Sequence, residues 1–316
     1  MFDQAKGFSK VVTVFGGAGF IGRYVVSMLA QDGWQVRVPV RDPQKAKFLS
    51  FYGDVGQVVP LAVDINDSGS ILRMIAGSAA VVNLIGILYE GGMQRFDYLQ
   101  AKLPGLIAQA ATDCGATVLV QMSAIGADVN SGSAYVRTKG EGELAATKGF
   151  SGVAIIRPSI VFGAEDNFFN RFAKMSSVSP LLPLVGGGEV KFQPVHVRDV
   201  AEVIFKAVNY PDKYGGNTYE LGGPRVLSFR ECLVLMLGHM HQRRFLMPLP
   251  EWVAKIQALF FEMLPQPPLT RDQLKMLRKD NVVSKQALDF SAFGINPVDV
   301  DVILPTYLSR FRPGGM

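Results

Sequence analysis

The sequence has little cysteine, little histidine and few charged residues for its length of 316. The two cysteines, Cys114 and Cys232, are far apart and form no C-x-x-C pair, and the three histidines have no metal-ligand spacing to nearby acids. We therefore expect buried thiols in a reducing compartment and no metal site. Charged residues make up only 19% and hydrophobic residues 48%, so we expect some apolar surface to contact a partner or a membrane.

Strong basic patches and long apolar runs are also missing. The net charge is +5, and the densest basic stretch is HQRRF, with Arg243 and Arg244, which argues against nucleic-acid binding. Apolar stretches such as CLVLML are too short to span a bilayer. The opening segment MFDQAKGFSK contains no apolar core of a signal peptide, so we do not expect export by that route. The length suits one large domain, or a domain with a smaller appendage.

The first clear motif is a glycine-rich turn between an apolar strand and an amphipathic helix. In KVVTVFGGAGFIGRYVVSMLA, the residues Gly16, Gly19 and Gly22 have G-x-x-G-x-x-G spacing at the point where the strand becomes a helix. Glycines here permit a tight turn and let the backbone approach a pyrophosphate, while the helix N-terminus supplies partial positive charge. The motif predicts a dinucleotide-binding unit.

The end of the second predicted strand bears on the choice between NADPH and NADH. A NAD-binding protein tends to place an acid on the ribose 2′-hydroxyl about twenty residues after the last glycine, whereas this strand ends in Arg41. A guanidinium suits a 2′-phosphate, so NADPH is favoured and NADH is the less favoured cofactor. The alternative is that Arg41 only pairs with the adjacent Asp42. Pro39 is unexplained unless the strand is already ending there.

Further strand-like segments alternate with helical ones: QVVPLAVDI, AAVVNLIG, TVLVQMS and GVAIIRPSIVFG. This alternation predicts an α/β fold with a doubly wound, mostly parallel sheet and a ligand at the carboxyl ends of its strands. The residues that follow such ends are Asp64, Ile65, Leu84, Gly86 and Ser123. We expect the dinucleotide-binding domain over residues 10–163, continued by about 192–210, and a smaller cap and partner-docking region over 164–191 and 211–316.

A tyrosine and a lysine lie four residues apart in SGSAYVRTKGEGE, where a helix is predicted to begin. That spacing puts Tyr135 and Lys139 on one helical face. A neighbouring ammonium favours the phenolate and would lower the tyrosine pKa from ~10 toward neutrality. Ser123 is placed to hydrogen-bond the same carbonyl oxygen as Tyr135. The three residues together resemble the catalytic set of short-chain dehydrogenases/reductases, and IIRPSIVFG with QPVHVRDVAEVI resembles the extended branch, which includes sugar-nucleotide epimerases and dehydratases.

Three longer segments narrow the resemblance. RPSIVFGAEDNFFNRFAKM, VKFQPVHVRDVAEVI and LTRDQLKMLRKDNVVS are together similar to the complex I accessory subunit nine family. Members of that family resemble extended reductases but are atypical, and they bind NADPH near the membrane-arm junction of respiratory NADH:quinone oxidoreductase. The resemblance implies a mainly structural cofactor and complex I subunits as partners. It also implies a peripheral position on the cytoplasmic face of a bacterial inner membrane, or on the matrix side in a mitochondrion.

The resemblance further implies a role for each matching residue. The implied cofactor contacts are Gly16, Gly19, Phe20, Ile21 and Gly22 at the pyrophosphate, Arg41 at the 2′-phosphate, Asp64 and Ile65 beside adenine, Leu84 and Gly86 on the ribose side, Lys139 at the nicotinamide ribose hydroxyls, and Pro158, Ser159 and Ile160 at the nicotinamide, with Tyr135 as a further cofactor-binding residue. Two departures count against ordinary sugar-nucleotide chemistry. Phe15 replaces the threonine that extended reductases often have, and MSAIGADVN lacks their serine-rich VYG segment.

Three functions remain open at this point. In the first, the protein is an accessory or assembly subunit whose fold NADPH stabilises by mass action. In the second, it is a free NADPH-dependent reductase or epimerase/dehydratase in which Ser123, Tyr135 and Lys139 are catalytic and Tyr135 donates a proton. A weaker third is a sensor that reports the NADPH pool by folding around the cofactor. The carboxy-terminal resemblance and the apolar cap favour the first, and the intact triad favours the second.

A proline-bounded segment near the carboxy terminus, MPLPEWVAKIQALFFEMLPQPP, predicts a short amphipathic helix. Its apolar stripe comprises Trp252, Val253, Ile256, Leu259, Phe260 and Met263. We predict that residues 251–263 contact lipid or a membrane-embedded partner. The alternative is that the stripe packs on the protein's own cap.

Overall fold

A computed structural model describes residues 10–264 and 267–312 of the chain. Its strands are β1 (Val11–Phe15), β2 (Gln35–Val40), β3 (Val58–Ala62), β4 (Ala80–Asn83), β5 (Val118–Met122), β6 (Ala154–Pro158), β7 (Val161–Phe162), β8 (Leu181–Val185), β9 (Lys191–Phe192), β10 (Val195–His196), β11 (Thr218–Leu221), β12 (Leu227–Ser228) and β13 (Phe245–Leu249). Its α-helices are α1 (Phe20–Gln31), α2 (Ser68–Ile75), α3 (Leu103–Asp113), α4 (Ala134–Gly149), α5 (Phe169–Val178), α6 (Val197–Asn209), α7 (Pro211–Tyr214), α8 (Phe229–His239), α9 (Glu251–Phe261), α10 (Arg271–Met276), α11 (Phe290–Phe293) and α12 (Val300–Leu308).

The main sheet has the strand order β11-β6-β5-β4-β1-β2-β3, and all of its neighbouring strands are parallel. The predicted α/β fold with a doubly wound parallel sheet is confirmed. The strand order reverses between β1 and β4, because β2 and β3 lie on one side of β1 and β4, β5, β6 and β11 lie on the other. A crevice opens at such a reversal, beyond the carboxyl ends of the strands, and ligands of doubly wound folds bind there.

Helices cover both faces of this sheet, which explains why its central strands are almost wholly apolar. On one face, Val12 and Val14 of β1 pack with α1 and α6 in the largest core cluster. On the other face, Phe15 packs with α2, α3 and α4. The alternating sides of one strand therefore supply two separate cores.

The structure explains how Pro39 fits inside β2. The β2 amides at odd-numbered positions face β1, as Gln35 shows by donating to the Lys10 carbonyl, and the pairing of β1 with β2 ends at Arg37. Pro39 lies beyond that last pair, although β2 continues to Val40 along β3. The amide hydrogen that proline lacks would have had no partner in β1, so the strand tolerates it.

The cap is built mainly from α5, β8, α8 and α12 around a separate apolar cluster. One element differs from the predicted division of the chain. The strand β11 lies within residues 211–316, yet it pairs with β6 and forms the edge of the main sheet. Its Tyr219 is fully buried, and the Phe293 ring of α11 packs against it at 4.6 Å between centroids. The carboxy-terminal part of the chain thus returns to complete the sheet's core.

Candidate functional site

The glycine turn lies in the crevice between β1 and β4. Gly16 has a φ of +76°, a left-handed conformation that favours glycine, and a Cβ added there would be 3.0 Å from the Leu84 carbonyl carbon. The turn after β1 and the chain after β4 are therefore in contact, as the predicted site requires of Gly16 and Leu84.

Gly22 brings the first helix against this turn. A Cβ on Gly22 would be 2.2 Å from the Gly16 carbonyl oxygen and 2.6 Å from the Gly17 Cα. Within the described chain, no side chain caps the first turn of α1, which begins at Phe20. The amides of this turn, including those of Ile21 and Gly22, are thus left for an anion at the positive end of the helix. Close backbone approach and free amides are what a pyrophosphate site needs.

Arg41 lies at the surface directly after β2, on the same edge of the sheet. Its neighbour Asp42 pairs instead with Lys45, at 3.7 Å between Nζ and Oδ2. Among residues 10–264 and 267–312, no carboxylate lies within ion-pair distance of the Arg41 guanidinium. The alternative in which Arg41 serves only to neutralise Asp42 therefore has no support in the geometry.

The predicted adenine and ribose residues follow β3 and β4. Asp64 accepts hydrogen bonds from the Asn66 backbone and side-chain amides, both at 2.9 Å, and the Ile65 carbonyl accepts one from the Tyr98 hydroxyl at 2.5 Å. Gly86 has a different importance, since a Cβ there would be 3.1 Å from the Lys139 Nζ. A side chain at this position would therefore crowd the end of the Lys139 side chain.

The predicted triad lies around the carboxyl end of β5. Ser123, Tyr135 and Lys139 are 4%, 9% and 6% exposed. The Lys139 Nζ donates to the Met122 carbonyl at 3.4 Å and lies 6.0 Å from the centre of the Tyr135 ring. The Ser123 Oγ is buried without a hydrogen-bond partner among the described residues. Buried hydroxyls are normally paired, so this one is available to a bound molecule.

Burial shifts the pKa of Tyr135 upward, whereas the sequence predicts a lower pKa for this residue. Removal from water raises the pKa of Tyr135 to about 12, so the expected lowering of its pKa by Lys139 is wrong for the protein alone. Burial also lowers the pKa of Lys139 to about 8, although negative Glu143 opposes this shift. The phenol is therefore protonated at neutral pH, while the lysine titrates only slightly above it.

The predicted nicotinamide segment follows β6. The Pro158 carbonyl accepts from the Ile125 amide at 3.1 Å, and the Ser159 amide donates to Leu221 at 2.8 Å. The Ser159 hydroxyl donates to Asn281, which offers a backbone oxygen at 2.8 Å and a side-chain oxygen at 2.7 Å. The side chain of Ser159 thus holds the carboxy-terminal segment, and Ile160, whose carbonyl accepts from Val195, is partly buried in the cap cluster.

A buried ion network fixes helix α4 to the sheet. Arg157 of β6 binds both carboxylate oxygens of Glu143, at 2.8 and 2.6 Å, and approaches Glu220 of β11 at 3.5 Å. Glu143 lies one turn beyond Lys139 on the same helix. The network therefore anchors the face of α4 that carries Tyr135 and Lys139.

Sequence reasoning missed the residue that begins this helix. The Asp272 carboxylate accepts hydrogen bonds from the Ser133 hydroxyl and from the amides of Ala134 and Tyr135, at 2.8, 2.7 and 3.0 Å. The segment LTRDQLKMLRKDNVVS supported the family resemblance, but a separation of 137 residues between Asp272 and Tyr135 gave no local signal. Only the folded chain brings them together.

Helix α9 exposes most of the stripe predicted from its sequence. Its inner side is small, with Ala254 and Ala258 buried against Leu249 and Leu274. The large side chains point outward: Trp252 is 67% exposed, Ile256 51%, Leu259 51%, Phe260 64% and Met263 82%. Packing of this stripe on the protein's own cap is therefore not found in the described part of the chain, although Val253 is partly buried there. Across residues 10–264 and 267–312, no helix is both long and apolar enough to cross a bilayer.

Comparisons with known proteins agree on the fold and on the family. A family model described as NAD dependent epimerase/dehydratase family matches residues 12–222. NADH dehydrogenase (ubiquinone) 1 alpha subcomplex subunit 9, mitochondrial, of Arabidopsis thaliana is 35% identical over 96% of this chain and 79% of its own length. The NADH-ubiquinone oxidoreductase 40 kDa subunit, mitochondrial, of Neurospora crassa is 31% identical over 95% and 79%. Among solved structures, a dTDP-glucose 4,6-dehydratase from Streptomyces venezuelae with NAD bound has a TM-score of 0.72 at 20% identity, covering 95% of this chain and 96% of its own.

Proposed function

The chain belongs to the NAD dependent epimerase/dehydratase family and to the family of the alpha subcomplex subunit 9 proteins of NADH dehydrogenase, and from that premise we propose that it is an accessory subunit of respiratory NADH:quinone oxidoreductase. Family membership assigns a nicotinamide dinucleotide as the class of cofactor. The residues fit such a group: Gly16 and Gly22 leave no room for side chains between turn, helix and β4, and the Ser123 hydroxyl is buried without a partner among the described residues.

The cofactor we propose is NADPH, with Arg41 holding its 2′-phosphate. The guanidinium is exposed on the edge of the sheet next to the glycine turn, while Asp42 pairs with Lys45. Hydrogen bonds to charged groups contribute about 1.5–3 kcal/mol, which corresponds to a factor of roughly 10 to 150 in affinity.

Calorimetric titration with both cofactors tests this assignment. Arg41→Ala is expected to weaken NADPH binding by that factor and to leave NADH binding unchanged, so NADH serves as the internal control. Equal affinity of the wild-type protein for the two cofactors would contradict NADPH specificity.

We propose that the cofactor is mainly structural. Two polar side chains that follow β6 along the chain are engaged by the carboxy-terminal segment and are less open to a substrate for that reason. Arg171 donates to the Pro267 carbonyl at 2.9 Å, and Ser159 is engaged by Asn281. We propose that Tyr135 and Lys139 mainly bind and orient the cofactor.

Two variants separate this role from catalysis. Lys139→Ala should weaken cofactor retention, because Lys139 is buried at the ends of β4 and β5. Tyr135→Phe should leave assembly of the respiratory complex intact, because its ring keeps the edge-on contact with Phe96 at 6.0 Å. Loss of respiration in Tyr135→Phe with a fully assembled complex would show instead that the tyrosine is catalytic.

The exposed face of α9 is proposed to lie in the lipid interface beside the membrane-arm junction. Its acidic residues are neutralised: Glu251 pairs with Lys255 and Arg278, and Glu262 pairs with Arg271. Apart from Lys255 and Gln257, the exposed side chains of the helix are apolar and include a tryptophan, the residue suited to a lipid headgroup boundary. The proposed location is accordingly peripheral, on the cytoplasmic face of a bacterial inner membrane or on the matrix side of a mitochondrial one.

Sedimentation with protein-free vesicles of phosphatidylethanolamine and phosphatidylglycerol tests the lipid contact. Trp252→Glu with Phe260→Glu should move the protein to the supernatant without changing NADPH binding in the absence of vesicles. A matched pair, Val234→Glu with Val302→Glu, alters residues that are 56% and 62% exposed on α8 and α12 and should leave sedimentation unchanged. Absence of the wild-type protein from the vesicle pellet would assign the α9 face to a protein partner.

A second candidate function is an NADPH-dependent reductase or epimerase. The observation that favours it is the buried Ser123 hydroxyl, which has no partner among the described residues, because this hydroxyl and that of a protonated Tyr135 are both donors that suit a carbonyl oxygen. Ser123→Ala discriminates the two functions. It should abolish any reductase activity, but under the accessory-subunit proposal it should lower neither complex assembly nor respiration.

A further inference from the structure

Helix α4 begins against a carboxylate supplied by a distant part of the chain. Three donors of its first turn converge on Asp272: the Ser133 hydroxyl and the backbone amides of Ala134 and Tyr135. Ser133 in turn accepts from the Val136 amide at 3.4 Å, and its own amide donates to the Ser131 hydroxyl at 3.2 Å. The four amides that a helix N-terminus leaves without partners are all satisfied here, and two of them depend on Asp272.

Asp272 is itself held firmly on α10. Thr270 and Gln273 form a reciprocal capping box at the start of that helix, and the Gln273 side chain also donates to the Leu88 carbonyl at 3.3 Å. Lys275 donates to the Gly132 carbonyl at 2.9 Å, immediately before the start of α4. Helix α10 thus contacts the loop after β4 and the turn before α4 at the same time, so its carboxylate has a defined position.

The start of α4 determines where the site side chains lie. Tyr135 is the second residue of the helix and donates its own amide to Asp272, and Lys139 follows one turn later on the same face. Lys139 has little room, since its Nζ is 3.4 Å from the Met122 carbonyl and would be 3.1 Å from a Cβ on Gly86. A small rotation or fraying of the first turn would therefore move the ammonium out of this gap.

We propose that Asp272 is a positioning residue for the cofactor site, which sets Tyr135 and Lys139 by capping α4 from outside the dinucleotide-binding domain. This inference rests on the proposed binding of NADPH by Lys139. It implies that the dinucleotide site is complete only when the carboxy-terminal segment is folded onto it. The reason is that, within the described structure, the acceptor for the Ala134 and Tyr135 amides is Asp272, which belongs to that segment.

Cofactor affinity is the first measurement. Asp272→Asn replaces one acceptor oxygen by a donor group and removes the negative charge from the helix N-terminus, and we expect NADPH to bind about tenfold more weakly, equivalent to about 1.4 kcal/mol. Asp289→Asn is the matched control. Asp289 caps α11 through the Ser291 amide and hydroxyl, so its loss should lower stability but change NADPH affinity by less than twofold.

A double-variant cycle distinguishes positioning from general stabilisation. If Asp272 acts through Lys139, the effect of Asp272→Asn in a Lys139→Ala background should shrink to less than about threefold. Retention of the full tenfold effect in that background, or an equal loss of affinity in Asp289→Asn, would overturn the proposal.

Deuterium exchange in the cofactor-free protein decides the question independently of NADPH. The amides of Ala134 and Tyr135 should exchange about tenfold faster in Asp272→Asn, with no change in α11, and unchanged rates would refute the capping role. Should Asp272→Asn fail to fold, Ser133→Ala removes one donor of the cap and should shift both measurements in the same direction by about threefold. A wild-type protein that binds neither NADPH nor NADH would contradict the proposed function, whereas the exchange measurement would still test Asp272.

Discussion

Gly22→Ala is the substitution whose outcome follows most directly from the backbone geometry. The added Cβ would lie 2.2 Å from the Gly16 carbonyl oxygen, about 1.2 Å closer than the 3.4 Å at which ordinary contact begins. The atoms that the added Cβ would meet belong to the main chain of Gly16 and Gly17, so no flexible side chain can move aside. The helix would have to separate from the turn, and with it the amides that face the cofactor phosphates.

The expected size follows from two opposing effects. Alanine is favoured over glycine within a helix by about 1 kcal/mol, whereas overpacking a close contact costs typically about 1–3 kcal/mol. A backbone clash of this depth belongs at the upper end, so we expect a net loss of about 2 kcal/mol in the free energy of unfolding. NADPH binding should be lost, because the pyrophosphate site is the place that opens.

Gly238→Ala is the matched control for this substitution. Gly238 also lies in a helix, α8, and a Cβ there would meet nothing within 4 Å. That variant should gain up to about 1 kcal/mol of stability and bind NADPH normally. Urea unfolding and calorimetric titration measure both quantities. Wild-type stability and affinity in Gly22→Ala would refute the close approach of α1 to the turn.

Three further predictions concern charge and coupling. Burial and the nearby Arg198 lower the pKa of His196 to about 4 from 6.5. The unfolded chain therefore binds more protons between these pH values, stability falls as the pH drops from 6.5 toward 4, and His196→Asn should flatten that part of a urea-unfolding pH series. Glu143→Gln leaves the Arg157 guanidinium without its main partner and should lower the free energy of unfolding by roughly 3 kcal/mol. The control, Glu202→Gln, breaks the more exposed pair with Lys206 and should lower it by under about 1 kcal/mol in the same urea-unfolding assay. Helix α10 contacts the capped end of α4 and also packs on α9 through Leu274. Vesicle binding should therefore tighten NADPH binding by about fivefold, as measured by titration with and without vesicles. Equal affinities in the two titrations would exclude this coupling.

Local patterns in the sequence determined the dinucleotide-binding half of the protein. Glycine spacing at a strand-to-helix junction, alternation of apolar strands with helices, and the four-residue separation of Tyr135 and Lys139 each reflect backbone geometry over a few residues. Such geometry is set by neighbouring residues, so it can be read before folding is known. The apolar stripe of α9 belongs to the same class of signal, since helical periodicity alone places Trp252 and Phe260 on one side.

Tertiary structure decided what those residues experience. Burial of Tyr135 raises its pKa, although a nearby lysine alone would have lowered it. Pro39 is tolerated because pairing with β1 ends two residues earlier, and β11 joins the main sheet because β6 presents an open edge. Asp272 caps α4 across 137 residues of chain. Desolvation, edge pairing and capping by a remote carboxylate all depend on which distant segments the fold brings together. Local residue spacing does not reveal which segments those are.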